Sequence, residues 1–292
     1  MKILITGANG QLGQEILNLL KNMKADIGQI HEAYKNANIK ALNSKELDIT
    51  AFQRVKACVS EFKPEIIINC AAFTNVDRCE TDRETALKVN AIGPQNLAIA
   101  AEEISAKFIH VSTDYVFSGD HEEPLIEYDL PSPSTVYGKT KLLGEAYIRE
   151  QCSKYFIVRT AWLYGRFGRN FVYTIMNAAK EKSYLEVVDD QTGCPTNAED
   201  LAYHILDIAL TREYGIYHCT GEGQCTWYDF AKRIIEFSKI ECVIKPITSE
   251  NLNRPAKRPS FSALENMMLN LKNMNKMRNW EEALKEFIKL GT

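Results

Sequence analysis

The chain has 292 residues, and its 35 Lys and Arg against 38 Asp and Glu give a net charge of -3, without the basic excess expected of a nucleic-acid partner. No stretch approaches the roughly 18 consecutive apolar residues of a membrane span, and the N-terminus lacks the pattern of a secretion signal. We therefore expect a cytoplasmic protein that binds neither nucleic acid nor membranes. Eight scattered cysteines without a C-x-x-C pair favour buried thiols over disulfides or a zinc site.

The first 160 residues alternate short apolar runs with helical patterns, which is typical of a parallel sheet covered on both faces. Strands are predicted at 2–6, 39–42, 65–71, 106–113 and 155–162, and helices at 11–23, 81–104 and 139–152. Residues 24–38 fit either extra helix or loop. After residue 162 the pattern is less regular, with a helix at 199–210 and then a short strand and helices. The fold class is α/β: a Rossmann-type doubly wound parallel sheet with a smaller mixed α/β domain toward the C-terminus.

The stretch ITGANGQLG places three glycines between the first predicted strand and the first predicted helix. Gly7 permits a tight turn, Gly10 lets backbone amides approach a pyrophosphate, and Gly13 lets the helix lie close to the sheet. The glycine spacing alone is weak, but the strand and helix on either side supply the required context. The pattern predicts a dinucleotide site at a helix N-terminus, with Gln11 and Leu12 beside it.

The end of the second predicted strand leaves the choice between NADPH and NADH open. Asn43 to Lys45 contain no carboxylate for the ribose 2′-hydroxyl of NAD, which favours NADPH or dual use. Asp48 comes later and is expected near the adenine, with Ile49 packed against the ring. Small residues after the next strand, in the run Ala71, Ala72 and Phe73, are expected to let the cofactor pass.

The run STVYGKTKLLGE places Tyr137 and Lys141 four residues apart, on one face of a predicted helix. An ammonium lowers the pKa of a nearby phenol, so this pair predicts a general acid for a carbonyl oxygen. A Tyr and a Lys at this spacing are common by chance, and the preceding glycine loop gives the pair its weight. Thr113, at a predicted strand end, is expected to hydrogen-bond the substrate carbonyl.

Ordered motifs along the chain resemble the dTDP-4-dehydrorhamnose reductase family of the extended short-chain dehydrogenases/reductases. They are ITGANGQLGQE, LDIT, NCAAFTNVDRCE, VNAIGPQNLA, STDYVFSG, VYGKTKLLGE, RTAWLYG and DDQTGCPT. The resemblance covers nearly the whole chain. It implies NAD(P)H-dependent reduction of the C4 ketone of dTDP-6-deoxy-L-lyxo-4-hexulose to dTDP-L-rhamnose. It also implies that Thr113, Tyr137 and Lys141 are the catalytic set, with Asn90 shaping a helix and a proton path.

The same resemblance suggests where a nucleotide sugar binds. It implies that Asp114 and Trp162 lie near the sugar, and it suggests Asn170 and Arg258 for the nucleotide side. An arginine suits a diphosphate because its forked donors are charged. Asn170 equally fits a helix cap, and Arg258 a solvated surface charge.

Some members of the resembled family are dimers with magnesium at the interface, so a homodimer is possible. Glu15 and Glu199 lie at positions resembling the metal ligands, but the C-terminal KLGT offers no third carboxylate, and we predict no metal. We assign residues 1–160 to an NAD(P)-binding domain, with 195–215 returning to it. Residues 161–194 and 216–292 form the predicted substrate-binding domain.

Three other functions remain open. A sugar-nucleotide dehydratase needs a carboxylate pair beside the threonine, and Tyr115 follows Asp114 instead. A reductase or epimerase of another nucleotide sugar would use the same fold and similar chemistry. A non-catalytic NADP-binding subunit, like the regulatory subunit of methionine adenosyltransferase, can also retain the Tyr and Lys, and turnover of reduced cofactor would distinguish it.

Overall fold

The computed structural model describes residues 1–252 and 254–291. Its strands are β1 (Lys2–Thr6), β2 (Lys24–Ala25), β3 (Gly28–Gln29), β4 (Asn38–Leu42), β5 (Ile66–Asn69), β6 (Lys107–Thr113), β7 (Tyr155–Thr160), β8 (Leu163–Tyr164), β9 (Tyr184–Val188), β10 (Thr192–Gly193), β11 (Thr196–Asn197), β12 (Gly215–His218), β13 (Cys225–Thr226) and β14 (Val243–Ile247). Its α-helices are α1 (Gln11–Asn22), α2 (Phe52–Phe62), α3 (Val76–Thr81), α4 (Arg83–Leu87), α5 (Gly93–Glu103), α6 (Val136–Gln151), α7 (Phe171–Glu181), α8 (Ala198–Leu210), α9 (Trp227–Ser238), α10 (Met267–Leu271) and α11 (Trp280–Gly291). No helix in these two ranges is long and apolar enough to cross a membrane.

Six strands form one parallel sheet in the order β12-β7-β6-β5-β1-β4. Its central strands are runs of Ile, Val and Phe that are buried on both faces, as parallel strands require. In the register, Ile3 of β1 lies between Ile39 of β4 and Ile66 of β5. The predicted Rossmann-type α/β fold is confirmed, and the five strands predicted in the first 162 residues are all present.

Helices cover both faces of this sheet. The apolar sides of α1 and α8 share one core with β1, β5 and β7. On the other face, α2, α5 and α6 pack over a second core that includes Leu4, Ile67 and Ile157. Because all six strands run parallel, their carboxyl ends meet at a single edge, where an open α/β sheet binds its ligands.

The helix predicted at 81–104 is interrupted in the structure. It consists of α4, a π-helical turn at Lys88–Ile92, and α5. The extra residue of a π-turn changes the direction in which side chains project, and such turns are frequent at functional sites. Here the turn carries Asn90, whose side chain is fully buried.

Residues 24–38, which the sequence left open between helix and loop, contain the hairpin of β2 and β3 and a 3₁₀ turn at Glu32–Tyr34. The buried Tyr34 donates a 2.6 Å hydrogen bond to the carbonyl of Leu206 in α8. One side chain therefore anchors this segment to the helix that follows the predicted substrate-domain insertion.

A third core lies beside the sheet, among α7, α9, α11 and the small β9–β14 sheet. Between its parts the chain returns to the main sheet through α8 and β12. Strand β12 pairs with β7 at the edge of the main sheet and ends at His218. All eight cysteines are free thiols, and five of them are buried.

Candidate active site

The glycine loop joins β1 to α1 at the carboxyl edge of the sheet. Gly7 has a φ of +69°, and a Cβ there would lie 2.6 Å from the backbone nitrogen of Ala71. A Cβ at Gly13 would lie 2.5 Å from the Gly7 carbonyl oxygen, so α1 approaches the loop more closely than a side chain permits. The first turn of α1 contains no acidic residue. The loop and the helix N-terminus therefore suit a pyrophosphate.

The two residues after Gly10 have different surroundings. The Leu12 side chain is buried in the core, which leaves its backbone to face the loop. Gln11 Nε2 donates to the carbonyl of Leu163 at 3.2 Å and so ties the loop to β8. The predicted cofactor role of both residues stays a prediction about backbone contacts.

The residues expected along the cofactor follow β4 and β5, the strands on either side of β1. Asp48 Oδ1 accepts hydrogen bonds from the backbone and hydroxyl of Thr50, at 2.9 and 2.8 Å, and Ile49 is buried against α5. After β5, Ala71, Ala72 and Phe73 are partly exposed. The Asn90 side chain fixes the backbone of this segment by accepting a hydrogen bond from Phe73 N at 2.8 Å and donating one to Phe73 O at 3.1 Å.

Helix α6 carries the predicted Tyr–Lys pair and starts at a Thr135 cap, whose Oγ1 accepts from Gly138 N at 3.0 Å. Tyr137 packs edge-on against Tyr115, with ring centroids 5.5 Å apart. The Lys141 amine lies 2.7 Å from the carbonyl of Val111 and 3.0 Å from His110 Nε2. In the free protein, Lys141 thus hydrogen-bonds β6 next to Tyr137.

Burial dominates the protonation of both side chains. It raises the pKa of the Tyr137 phenol above its usual value, although a hydrogen bond with Thr113 lowers that pKa in part. It lowers the pKa of Lys141 to about 8, against the opposing effect of Glu145. The sequence predicted a phenol pKa lowered by Lys141, and the free protein has it raised because the phenol is desolvated. A phenol that keeps its proton is in the form required of a proton donor.

Thr113 and Asp114 stand where β6 ends. Thr113 Oγ1 donates to Asp114 Oδ1 at 2.9 Å and accepts from Tyr115 N at 3.2 Å. Burial raises the pKa of Asp114 to about 6. Thr113 also interacts with the Tyr137 phenol at this edge of the sheet.

Trp162 sits at a strained turn after β7, with a φ of +45° that is uncommon for a large side chain. Its indole stacks on Trp227 with the ring centroids 3.5 Å apart and the planes 6° from parallel. A Cβ at Gly193 would lie 2.4 Å from Trp162 Cε2. Strained backbone conformations cluster at ligand sites. Here the strained conformation of Trp162 is held by its stacking on Trp227, and the lack of a side chain at Gly193 leaves room for the indole.

A cleft of about 540 Å³ is lined by residues of the loop between β6 and α6, by Asp190 and Gln191, and by residues within 249–252 and 254–260. Arg258 lines it, paired through both Nη atoms with the carboxylate of Asp77 at 3.1 and 2.7 Å. This pairing holds the pKa of Asp77 below its usual value. The Arg258 side chain is only 16% exposed, so it is not a solvated surface charge. Arg254 and Lys257 add positive charge to the same cleft, and Asp120, Asp190 and Glu250 add negative charge.

Another cavity, of about 670 Å³, includes Lys63, Lys107 and Arg212 and lies at the amino ends of the strands. Open α/β sheets bind ligands at the opposite edge, so this cavity does not lie where a substrate is expected.

Asn170 caps α7 by accepting from Tyr173 N at 3.1 Å. Its amide donates to Gln11 Oε1 at 3.1 Å and to the Gly165 carbonyl at 2.8 Å. These bonds engage both ends of the amide in joining α7 to the glycine loop. They favour the capping role over the predicted nucleotide contact.

Glu15 and Glu199 lie near each other and Arg166. Arg166 Nη2 is 3.2 Å from Glu199 and 3.7 Å from Asp26, so an internal cation already neutralises this acidic region. Burial raises the pKa of both Glu15 and Glu199. Within residues 1–252 and 254–291, no group of three or more His, Cys, Asp or Glu is arranged for a metal.

Several site residues were missed in the sequence. Asp77, Asn69, His110 and Trp227 each contact a predicted site residue. Only the position of Asn69 at the end of β5 gave a usable signal. Asp77 and Trp227 lie on helices far along the chain from their partners, and no local pattern relates them.

A glycine loop at a helix N-terminus and a Tyr–Lys helix at the same sheet edge define a nicotinamide-dependent oxidoreductase of the short-chain type. A family model described as the RmlD substrate binding domain matches residues 1–292. A dTDP-4-dehydrorhamnose reductase structure from Clostridium acetobutylicum is 47% identical, covers 99% of both chains and superposes with a TM-score of 0.94.

A second such structure, from Bacillus anthracis in complex with NADP, is 40% identical over 100% of this chain and 99% of its own, with a TM-score of 0.93. The spore coat polysaccharide biosynthesis protein SpsK of Bacillus subtilis is 38% identical over 98% of this chain and 96% of its own. The chain belongs to the dTDP-4-dehydrorhamnose reductase family.

Proposed function

We propose that this protein reduces the C4 ketone of dTDP-6-deoxy-L-lyxo-4-hexulose to dTDP-L-rhamnose with NADPH or NADH. The observation that carries the proposal is that Thr113, at the carboxyl end of β6, interacts with the Tyr137 phenol, and that the glycine loop follows β1 at the same edge of the sheet. The nicotinamide cofactor supplies the hydride when it is bound. The chain's own residues bind, orient and protonate the sugar.

Tyr137 is the proposed general acid for the C4 oxygen. Its raised pKa keeps the phenol protonated at neutral pH, so a proton is available when charge develops on that oxygen. The Thr113 hydroxyl donates a hydrogen bond to the same oxygen after turning from Asp114 Oδ1. Lys141 orients the nicotinamide ribose through hydrogen bonds from its amine.

The nucleotide half of the substrate is proposed to bind in the cleft that Arg258, Arg254 and Lys257 line. Their charges suit a diphosphate, and Asp77 holds the Arg258 fork in a fixed orientation. Trp162, stacked on Trp227, is proposed as one wall of the sugar site. Residues 1–160 and 195–218 would then form the cofactor domain, and 161–194 with 219–292 the substrate domain.

The test is oxidation of NADPH, and separately NADH, by the purified protein with the 4-keto sugar, followed by absorbance. Tyr137→Phe keeps the ring and removes the proton, so kcat should fall by about 10²–10⁴-fold. The NADPH dissociation constant, measured by fluorescence, should change little. Near-full activity in Tyr137→Phe would refute the acid assignment.

The wild-type result also separates the alternatives. Turnover with a different nucleotide-linked keto sugar, and none with this one, would replace the proposed substrate and leave the proposed reduction of a ketone in place. Cofactor binding without turnover of any keto sugar would indicate the non-catalytic regulatory function. A homodimer and a cytoplasmic location remain parts of the proposal.

A further inference from the structure

A row of buried, hydrogen-bonded polar side chains runs from β1 to α6. Thr6 Oγ1 donates to Asn69 Oδ1 at 2.7 Å, and Asn69 Nδ2 lies 2.9 Å from His110 Nδ1. His110 Nε2 lies 3.0 Å from the Lys141 amine. All four side chains are at most 1% exposed. Water therefore does not supply alternative partners, and each donor must meet an acceptor.

The orientation of the Asn69 amide determines the tautomer of His110. Asn69 Oδ1 accepts from Thr6 Oγ1 and also from Ala71 N at 3.1 Å. The Thr6 hydroxyl could also accept, but the Ala71 N–H can only donate. The amide therefore cannot turn without placing its NH₂ against that N–H, so Nδ2 faces the imidazole. His110 Nδ1 must then accept, and the single proton of the neutral ring lies on Nε2.

The Nε2–H of His110 consequently points at Lys141 Nζ. An ammonium has only donors and would oppose that N–H, whereas a neutral amine has one lone pair to receive it. The same amine still donates to the Val111 carbonyl at 2.7 Å. We propose that Asn69 and His110 are positioning residues for the reductase, which together hold the Lys141 amine and favour its neutral form in the free protein.

This inference rests on the proposed function, because it concerns the residue assigned to the nicotinamide ribose. Two other titratable groups face Lys141: Glu145, one turn further along α6, and Cys70, just after β5, both of which favour the ammonium. Glu145 is itself held by the buried Arg159 at 2.7 Å and by Ser112 at 2.5 Å. Burial keeps the pKa of His110 well below 6.5, so the ring remains neutral.

Asn69→Asp is the substitution that tests how Asn69 sets the tautomer of His110. The carboxylate still accepts from Thr6 and Ala71 N, but toward His110 it presents an acceptor in place of a donor. The ring proton should move to Nδ1, and a lone pair on Nε2 would then face Lys141 and stabilise its ammonium. Long-range ¹H–¹⁵N spectra of the histidine-labelled protein report which nitrogen carries the proton, and His110→Phe assigns the signal.

We expect His110 to be protonated on Nε2 in the wild type and on Nδ1 in Asn69→Asp. The NADPH dissociation constant should rise at high pH as Lys141 loses its proton. In Asn69→Asp the midpoint of that rise should move up by about one pH unit, as expected when a hydrogen bond favours the charged form. His110→Gln, whose side-chain oxygen can face the ammonium, should shift the midpoint in the same direction and serves if Asn69→Asp does not fold.

His110→Phe with and without Asn69→Asp is the matched control, because the new carboxylate is present but the imidazole is not. A midpoint shift of equal size in this background would mean that the carboxylate acts through space, and would overturn the proposal. A wild-type ring protonated on Nδ1 would overturn it as well. The spectra require neither cofactor nor sugar, so a protein that fails to reduce the keto sugar but shows the expected tautomers would refute only the proposed function.

Discussion

The ion pair that anchors the catalytic helix gives a sharp test of the fold. Glu145 in α6 receives hydrogen bonds from Arg159 Nε at 3.1 and 3.3 Å and from Nη2 at 2.7 Å. Both side chains are 2% exposed. Glu145→Gln keeps the shape and removes the negative charge, so Arg159 remains buried without the carboxylate to which it is hydrogen-bonded.

The other groups near Arg159 do not replace this contact. The buried Glu127 carboxylate interacts electrostatically with Arg159, but its Oε1 accepts from His218 N at 2.8 Å and from Met268 N at 3.1 Å. His218 Nε2 is 3.5 Å away, and burial lowers the pKa of that ring to about 3, so it carries no charge. The Phe117 ring lies 5.3 Å from the guanidinium and offers only its π-face. Breaking a buried pair from one side costs about 3–5 kcal/mol, and we expect that loss in the free energy of unfolding.

A matched control is Glu103→Gln at the surface. Glu103 lies 2.6 Å from Lys56, but the two side chains are 40% and 44% exposed. The same chemical change at a similar distance should therefore cost no more than about 1 kcal/mol. Urea unfolding at pH 7, followed by circular dichroism with the slope checked for constancy, gives both values. Equal losses in the two variants would refute the argument that burial determines the energy.

Two further predictions concern the cleft. Burial raises the Asp114 pKa from 3.8 to about 6. The contribution of the Asp114 carboxyl to stability is therefore full below about pH 4 and is lost as the pH rises through 6. In Asp114→Asn the free energy of unfolding should depend less on pH between 4 and 6, and an unchanged pH dependence would contradict this assignment. Arg258→Ala should weaken thymidine diphosphate binding by about 10–100-fold in calorimetry, whereas retained affinity would remove Arg258 from the nucleotide site.

Local patterns determined much of the architecture. The Ile- and Val-rich runs, the glycine loop between strand and helix, and the i, i+4 spacing of Tyr137 and Lys141 are all properties of neighbouring residues. Backbone preferences and side-chain periodicity act over one or two turns, so a sequence displays them directly. The boundaries of β1, β6 and α1 were therefore predictable to within about two residues.

The tertiary structure decided the partners of those residues. Lys141 bonds to His110, 31 residues earlier, and Arg258 pairs with Asp77, 181 residues away. Trp162 stacks on Trp227 only because β7 and α9 come together. Such contacts depend on how the sheet orders its strands and how the second core packs beside it. No local periodicity encodes that arrangement. The desolvation that raises the pKa of Tyr137 and lowers the pKa of Lys141 also depends on the folded surroundings.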